Sequence, residues 1–113
     1  MELTYEVSDG LLVIRPGSRV DSSTAASFEA QCSSLIDEGP TKVVVDFSKV
    51  DYVSSAGLRA LLIIAKKAKS VGGALTLCGL AGGVQEVMSV SGFDTILGAH
   101  AGVSEARAAL GAD

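Results

Sequence analysis

The fold of this 113-residue chain is decided by one stretch in its middle, Lys42-Val43-Val44-Val45-Asp46-Phe47-Ser48-Lys49-Val50-Asp51-Tyr52-Val53-Ser54-Ser55-Ala56-Gly57-Leu58-Arg59-Ala60-Leu61-Leu62. Residues 43–45 form a β-branched apolar run between Gly39-Pro40 and Asp46, which is typical of a buried strand. From Leu58 onward the apolar residues recur with the spacing of a helix that has one buried face, at Leu58, Leu61, Leu62, Ala65 and Ala68. The stretch therefore predicts a strand, a tight connection and a helix.

Two serines stand where this helix is predicted to begin. Either Ser54 or Ser55 can serve as the N-cap, because a short side-chain oxygen at that position accepts a hydrogen bond from the unpaired amides of the first turn. Capping is the ordinary role of a serine in such a place, so the residues alone do not assign either hydroxyl a further function.

The connection between strand and helix resembles the phosphorylation segment of anti-sigma factor antagonists, the single-domain STAS proteins. In that family a serine at the helix start, followed by a small or hydroxyl residue and then Gly-Leu, is phosphorylated by an anti-sigma factor serine kinase. Aligned on Gly57-Leu58, the resemblance implies that Ser55 is the acceptor and that Ala56 occupies the small position. Ser54 stands where many members carry aspartate, and it is the second candidate hydroxyl.

Residues 17–21 resemble the family segment that places an aspartate beside the phosphorylated serine, which implies that role for Asp21. The residues themselves also allow Asp21, Ser22 or Ser23 to cap the helix that follows. That helix has its apolar face at Ala25, Phe28, Cys32, Leu35 and Ile36, and it is predicted to end at Gly39-Pro40.

A candidate partner surface lies on the exposed side of the central helix. On a helical wheel Ile63 falls near Arg59, away from the predicted core face and about two turns from Ser55. We therefore predict that Arg59 and Ile63, together with Ser22 and Ser23, contact a docked kinase.

The remaining periodicities complete an α/β fold. Asp9-Gly10 between strands at residues 3–7 and 11–14 predicts a hairpin. Beyond the central helix, the sequence predicts a strand at 74–78, a helix at 82–90, a last strand at 95–97 and a helix at 104–110. We expect one STAS domain over residues 1–113, with a mixed β-sheet, an N-terminal hairpin and about four helices packed on the sheet.

Composition excludes several classes of protein. The net charge of -4 and the lack of a basic cluster beyond Lys66-Lys67-Ala68-Lys69 argue against nucleic acid as a partner. No apolar run approaches the roughly 20 residues of a membrane span, and the N-terminus lacks the pattern of a signal peptide, so we expect a cytoplasmic protein without membrane insertion. Cys32 and Cys78 are not spaced as a metal pair and are predicted to be buried thiols.

The chain also lacks the residues of an enzyme. His100 is its only histidine, and no Gly-x-x-x-x-Gly-Lys-Ser/Thr phosphate loop is present. We expect no metal and no cofactor in this chain, since the ATP and Mg²⁺ that the resemblance implies belong to the kinase.

The resemblance implies an anti-sigma factor antagonist. Its unphosphorylated form would bind the anti-sigma serine kinase and release a sigma factor, phosphorylation of Ser55 would end that binding, and a separate metal-dependent phosphoserine phosphatase would reset the switch. An accessory STAS subunit of a lipid-transport ABC system, or another partner-switching scaffold, is the alternative. A module that binds a small ligand or a nucleotide is a third hypothesis, which no sequence feature favours.

Overall fold

Strands and helices alternate along the chain after an N-terminal hairpin. A computed structural model describes residues 2–111. In chain order the elements are β1 (Leu3–Ser8), β2 (Leu11–Pro16), β3 (Arg19–Val20), α1 (Ala25–Glu38), β4 (Lys42–Asp46), β5 (Tyr52–Val53), α2 (Ser55–Ser70), β6 (Ala74–Cys78), α3 (Gly82–Ser91), α4 (Phe93–Leu97), β7 (Ala99–His100) and α5 (Val103–Ala109).

The main sheet has the strand order β1-β2-β4-β6-β7. β1 pairs antiparallel with β2, and every other pair in the sheet is parallel. At the hairpin turn Asp9 and Gly10 have φ values of 50° and 80°, the left-handed conformation that a two-residue hairpin turn requires. The mixed α/β sheet and its hairpin confirm the predicted fold class.

Helices bury both faces of the sheet. Val43 and Val45 of β4 point into a large core beneath α1 and α2, whereas Val44 points into a smaller core that α5 covers with Ala106. A strand whose two faces are both buried has no polar side to show, which explains the uninterrupted apolar run at 43–45.

A second, two-stranded sheet was not predicted. β3 and β5 are only two residues long and pair in parallel, Arg19 with Tyr52 and Val20 with Val53. Runs this short carry no alternation that a sequence pattern could reveal. The pairing matters because the chain enters α1 after β3 and α2 after β5.

The predicted strand at residues 95–97 is wrong. This segment lies in α4, where the amide of Ile96 donates to the carbonyl of Gly92. Gly92 and Gly98, with φ values of 79° and 83°, set the two ends of this short helix. The last strand of the sheet comes directly afterwards at Ala99–His100 and pairs with β6, so residues 2–111 contain five helices rather than about four.

Two details of the helices also differ from the predictions. α1 begins at Ala25 with Thr24 in the N-cap position, rather than at a cap formed by Asp21, Ser22 or Ser23. On α2 the buried face is shifted, because Ala60 and Ile64 are buried whereas Leu58 and Leu62 are only half-buried. The buried face is therefore displaced by about one position around the helix axis from the five-residue face predicted from spacing.

Candidate functional site

The two serines at the start of α2 occupy different environments. Ser54 is the N-cap, and its hydroxyl oxygen accepts a hydrogen bond of 3.2 Å from the amide of Gly57. Ser55 is the first helical residue, and its side chain is exposed to solvent. One serine therefore holds the helix start in place while the other presents its hydroxyl outward.

The small β3–β5 sheet fixes the position of this helix start. The amide of Ser54 donates to the carbonyl oxygen of Val20 over 3.0 Å, extending the pairing by one step. A Cβ atom added at Gly57 would lie 2.3 Å from the same oxygen, far inside van der Waals contact. Gly57 is thus required because the first turn of α2 rests directly against the backbone of β3.

Asp21 lies at the same end of the small sheet as the serines. Asp21 directly follows Val20 of β3, and Ser54 directly follows Val53 of β5. Because these two strands are parallel and paired, both residues lie at the same edge of the small sheet. Its Oδ1 accepts hydrogen bonds from the Ser23 hydroxyl at 2.6 Å and the Ser23 amide at 3.0 Å. Its Oδ2 pairs with Arg19 Nε at 3.1 Å.

These bonds keep the Asp21 carboxylate ionised. The hydrogen bond from the Ser23 hydroxyl, with a further contribution from Arg19, lowers the pKa of Asp21 to about 2. Ser23 is exposed but engaged with Asp21, whereas Ser22 is exposed beside it. At neutral pH the edge beside Ser55 therefore carries the ionised carboxylate of Asp21, paired with the guanidinium of Arg19.

A shallow groove between α1 and α2 joins most of the predicted partner-binding residues. It encloses about 250 Å³, and its lining includes Ser22, Ala56, Arg59 and Ile63. Ile63 is 42% exposed, on the side of α2 that faces away from the core. The structure thus brings Ser22 together with Arg59 and Ile63 in one surface, whereas Ser23 lies outside the lining of this groove.

Comparison with known proteins identifies the family. The sequence model of the STAS domain family matches residues 2–106 of the chain. The chain belongs to the STAS domain family. It is 42% identical over 96 residues to BtrV of Bordetella bronchiseptica, which is assigned as an anti-sigma factor antagonist, and the match covers 85% of this chain and 83% of BtrV.

Solved structures share the fold of this STAS domain. A Thermotoga maritima protein assigned as an anti-sigma factor antagonist superposes with a TM-score of 0.89 at 23% identity, covering 96% of this chain and 93% of that one. The antagonist SpoIIAA in its unphosphorylated form gives a TM-score of 0.76 at 23% identity over 92% of this chain and 90% of that one. Its phosphorylated form, from Bacillus, gives 0.71 at 20% identity over 92% and 94%. Identities this low establish the fold alone.

Sequence reasoning missed one pair of residues at the site of this STAS domain. The guanidinium of Arg19 lies 4.5 Å from the ring centroid of Tyr52, in a cation–π contact across the β3–β5 pair. Both side chains are exposed and flank the strand ends that lead to Asp21 and Ser54. The only sequence signal was their position within the two segments that carry the resemblance.

A second groove lies on the other side of the first turn of α2. It encloses about 520 Å³ and is lined largely by apolar side chains of Leu58, Val87 and Val90. Val90 is 85% exposed, and Val87 is half-buried. The start of α2 in this STAS domain is thus flanked by grooves on both sides.

The remaining candidate groups are the acidic side chains, His100 and the two cysteines. Within residues 2–111, no cluster of three or more His, Cys, Asp or Glu side chains could hold a metal ion, and none of the helices has both the length and the hydropathy of a membrane span. Cys32 and Cys78 are both buried, as predicted. Burial raises the pKa of each thiol to about 12, with the nearby Asp46 contributing at Cys78, so neither is a ready nucleophile.

Proposed function

We propose that this STAS domain is an anti-sigma factor antagonist that is switched by phosphorylation of Ser55. Unphosphorylated, it binds an anti-sigma factor serine kinase and so releases a sigma factor. The kinase transfers the γ-phosphoryl group of ATP to the Ser55 hydroxyl, ADP leaves, and the complex dissociates. A phosphoserine phosphatase hydrolyses the phosphoester and restores the binding form. All of these steps belong in the cytoplasm.

The observation that carries the proposal is the division of roles between the two serines. A kinase must reach its acceptor hydroxyl, and Ser55 is exposed whereas the Ser54 hydroxyl is half-buried and accepts the capping bond from Gly57. Ser55 is therefore favoured over Ser54 as the acceptor. The likeness to BtrV over most of both chains supports the assignment to the antagonist class.

A phosphate on Ser55 is compatible with the folded domain. The first turn of an α-helix presents unpaired amides and the positive end of the helix dipole, which favour an anion. The likeness of this fold to SpoIIAA in both its unphosphorylated and its phosphorylated form agrees with a modification that leaves the domain folded. We therefore expect phosphorylation to change binding rather than stability.

The same phosphate would disfavour a docked partner. It adds about -1.5 to -2 charges at pH 7, next to the edge that already carries ionised Asp21. Like charges forced into an interface cost several kcal/mol, and about 2.7 kcal/mol weakens binding a hundredfold. Ser22, Ser23, Arg59 and Ile63 lie around this edge or in the adjoining groove, and we assign them to the kinase-binding surface.

Mass spectrometry of the intact protein tests the proposal. After incubation with the anti-sigma kinase, ATP and Mg²⁺, we expect one added phosphate on the wild type and on Ser54→Ala, and none on Ser55→Ala. Kinase binding by Ser55→Ala should persist, which shows that the variant is folded and docks. A full mass gain on Ser55→Ala would move the acceptor elsewhere, and no gain on any form would remove the chain from this class.

A further inference from the structure

The outer edge of the main sheet is formed by β1, and no strand pairs with it on that side within residues 2–111. β1 is six residues long and pairs with β2 in an unbroken register from Leu3 opposite Pro16 to Ser8 opposite Leu11. Every second backbone amide and carbonyl along this strand therefore faces outward without a strand partner. Such an edge is a template for adding another strand.

This edge also exposes apolar side chains. Tyr5 and Val7 are each 55% exposed, and they lie on the same face of β1 as Leu3. On the inner strands of the sheet, α1 covers this same face. Between β1 and α1 lies a shallow groove of about 190 Å³, whose lining includes Leu3, Tyr5 and Leu35. The apolar face of the sheet thus continues past the helix that covers it.

β1 carries none of the usual features that block edge pairing. Proteins protect sheet edges with proline, lysine, bulges or very short strands. The opposite edge of the sheet is protected by a very short strand, because β7 has only two residues. β1 has no proline or lysine and no bulge, and its one acidic residue, Glu6, is paired with Arg15 at 2.8 Å.

We propose that two copies of this chain associate through antiparallel pairing of their β1 strands, centred on Tyr5. In this register Tyr5 opposes Tyr5, Leu3 opposes Val7 and Thr4 opposes Glu6, so apolar residues meet apolar residues on one face. Centring on Thr4 would instead oppose Glu2 with Glu6, and centring on Glu6 would oppose two glutamates. Cross-strand pairs of like charge are destabilising, which selects the Tyr5 register.

Charge complementarity at the two ends supports a second copy of this chain as the occupant. In the Tyr5 register Glu2 opposes Ser8 of the other copy. Arg107, on α5, donates hydrogen bonds to the hydroxyl oxygen of Ser8 at 2.9 Å and to its carbonyl oxygen at 3.3 Å. Glu2 of one copy therefore approaches Arg107 of the other, and twofold symmetry repeats this pair at both ends of the contact.

Sedimentation equilibrium tests the proposed dimer. We expect the average mass of the wild type to rise from monomer toward dimer as its concentration increases, and Tyr5→Lys to weaken the association at least about tenfold. Val90→Lys is the matched control, because Val90 is a more exposed apolar residue far from β1 in sequence, on α3. A wild type that stays monomeric throughout would overturn the proposal and leave the edge for a strand of another protein. Equal weakening by Val90→Lys would place the interface elsewhere.

A charge exchange tests the ends of the contact. Glu2→Lys should weaken the dimer, Arg107→Glu should weaken it similarly, and the double variant should recover most of the association. Circular dichroism melting confirms that each variant is folded. A double variant that is no better than the single variants would contradict the pairing of Glu2 with Arg107 and, with it, the register.

Disulfide formation tests the register directly. Opposed residues on antiparallel strands have Cα atoms about 4.5 to 5.5 Å apart, within the range that a disulfide spans. We expect Tyr5→Cys to form a covalent dimer under mild oxidation and Val7→Cys, whose two copies would lie far apart along the strands, to remain monomeric. Cys32 and Cys78 are buried and do not compete. Equal cross-linking of the two variants would exclude the Tyr5 register.

Discussion

At the scale of single residues, the start of α2 assigns separate tasks to adjacent hydroxyls. Ser54 accepts the amide bond from Gly57, whereas Ser55 is exposed at the first helical position. With the proposed acceptor on the neighbouring residue, phosphorylation leaves the capping oxygen itself unmodified. The neighbouring arrangement lets the domain keep its cap in either state of the proposed switch.

Replacing these serines should affect stability very differently. Ser54→Ala removes an N-cap and should lower the free energy of unfolding by about 1 kcal/mol. Ser55→Ala changes an exposed side chain and should stay within about 0.5 kcal/mol of the wild type. Urea denaturation at neutral pH measures both. Equal losses in the two variants would show that the capping bond is shared or absent in solution.

Asp21 should make the stability of the domain sensitive to acid. Its pKa is lowered from an ordinary value of 3.8 to about 2, so its hydrogen bonds from Ser23 and Arg19 stabilise the fold above pH 4. This contribution is lost as the pH falls from about 4 toward 2, because the folded carboxylate must then bind a proton.

The measurement is the melting temperature as a function of pH. The wild type should lose stability more steeply than Asp21→Asn between pH 4 and pH 2, since the amide cannot titrate. Parallel curves for the two proteins would mean that Asp21 is not held by these bonds.

At the scale of elements, the start of α2 lies directly against the backbone of β3. Gly57 in the first turn of α2 leaves no room for a Cβ against the carbonyl of Val20. The β3–β5 pair, Ser54 and the helix start therefore behave as one unit whose spacing is set by backbone contact. Such a unit places Asp21 and Ser55 at one edge of the molecule without any bond between their side chains.

Gly57→Ala should destabilise the domain by about 1 to 3 kcal/mol, because a methyl group would push α2 away from β3. Gly83→Ala on α3 is the control, since nothing lies within 4 Å of its Cβ position. Alanine favours the helix there, so the control should be neutral or more stable by up to about 1 kcal/mol. Thermal or urea unfolding gives both values. A neutral Gly57→Ala would show that the helix start can move freely.

At the scale of the whole molecule, the exposed side of α2 and the buried core are separate. Ser55, Arg59 and Ile63 lie on the outer side of α2, and Ala60, Ile64 and Ala68 on its inner side are buried. Substitutions on the outer side can therefore change what docks there while the packing of the core stays intact. This separation is what a reversible modification of a small domain needs.

The proposed kinase surface predicts a graded effect along α2. Arg59→Ala and Ile63→Ala should each weaken kinase affinity about tenfold or more, since both line the groove beside Ser55. Lys69→Ala is a matched control on the last turn of the same helix, where the side chain is also exposed, and it should leave the affinity unchanged. Calorimetric titration with the kinase measures all three. An equal loss for Lys69→Ala would mean that the partner docks along the far end of α2.

Local signals predicted most of the elements. Asp9-Gly10 predicted the hairpin, residues 43–45 the buried strand, and Gly39-Pro40 the end of α1, because turn geometry and helix ends depend on the chemistry of a few neighbouring residues. The prediction of a strand at residues 95–97 is wrong for the complementary reason. A short apolar run suits either a strand or a helix, and Gly92 and Gly98 together with the packing against β6 decided between them.

The sequence by itself determined the fold class, the helix that begins at the Ser54-Ser55 pair, and the family resemblance, since these follow from periodicity and from residue types at fixed spacing. Only the tertiary structure decided which serine caps α2, how β3 and β5 bring Asp21 to the edge that Ser55 occupies, and which strand is left open at the sheet edge. The β3–β5 pairing and the strand order depend on contacts between segments about 30 residues apart or more, and no local pattern of side chains encodes such distances. The capping bond is local, but the bond from the Ser54 amide to Val20 helps to set where α2 begins.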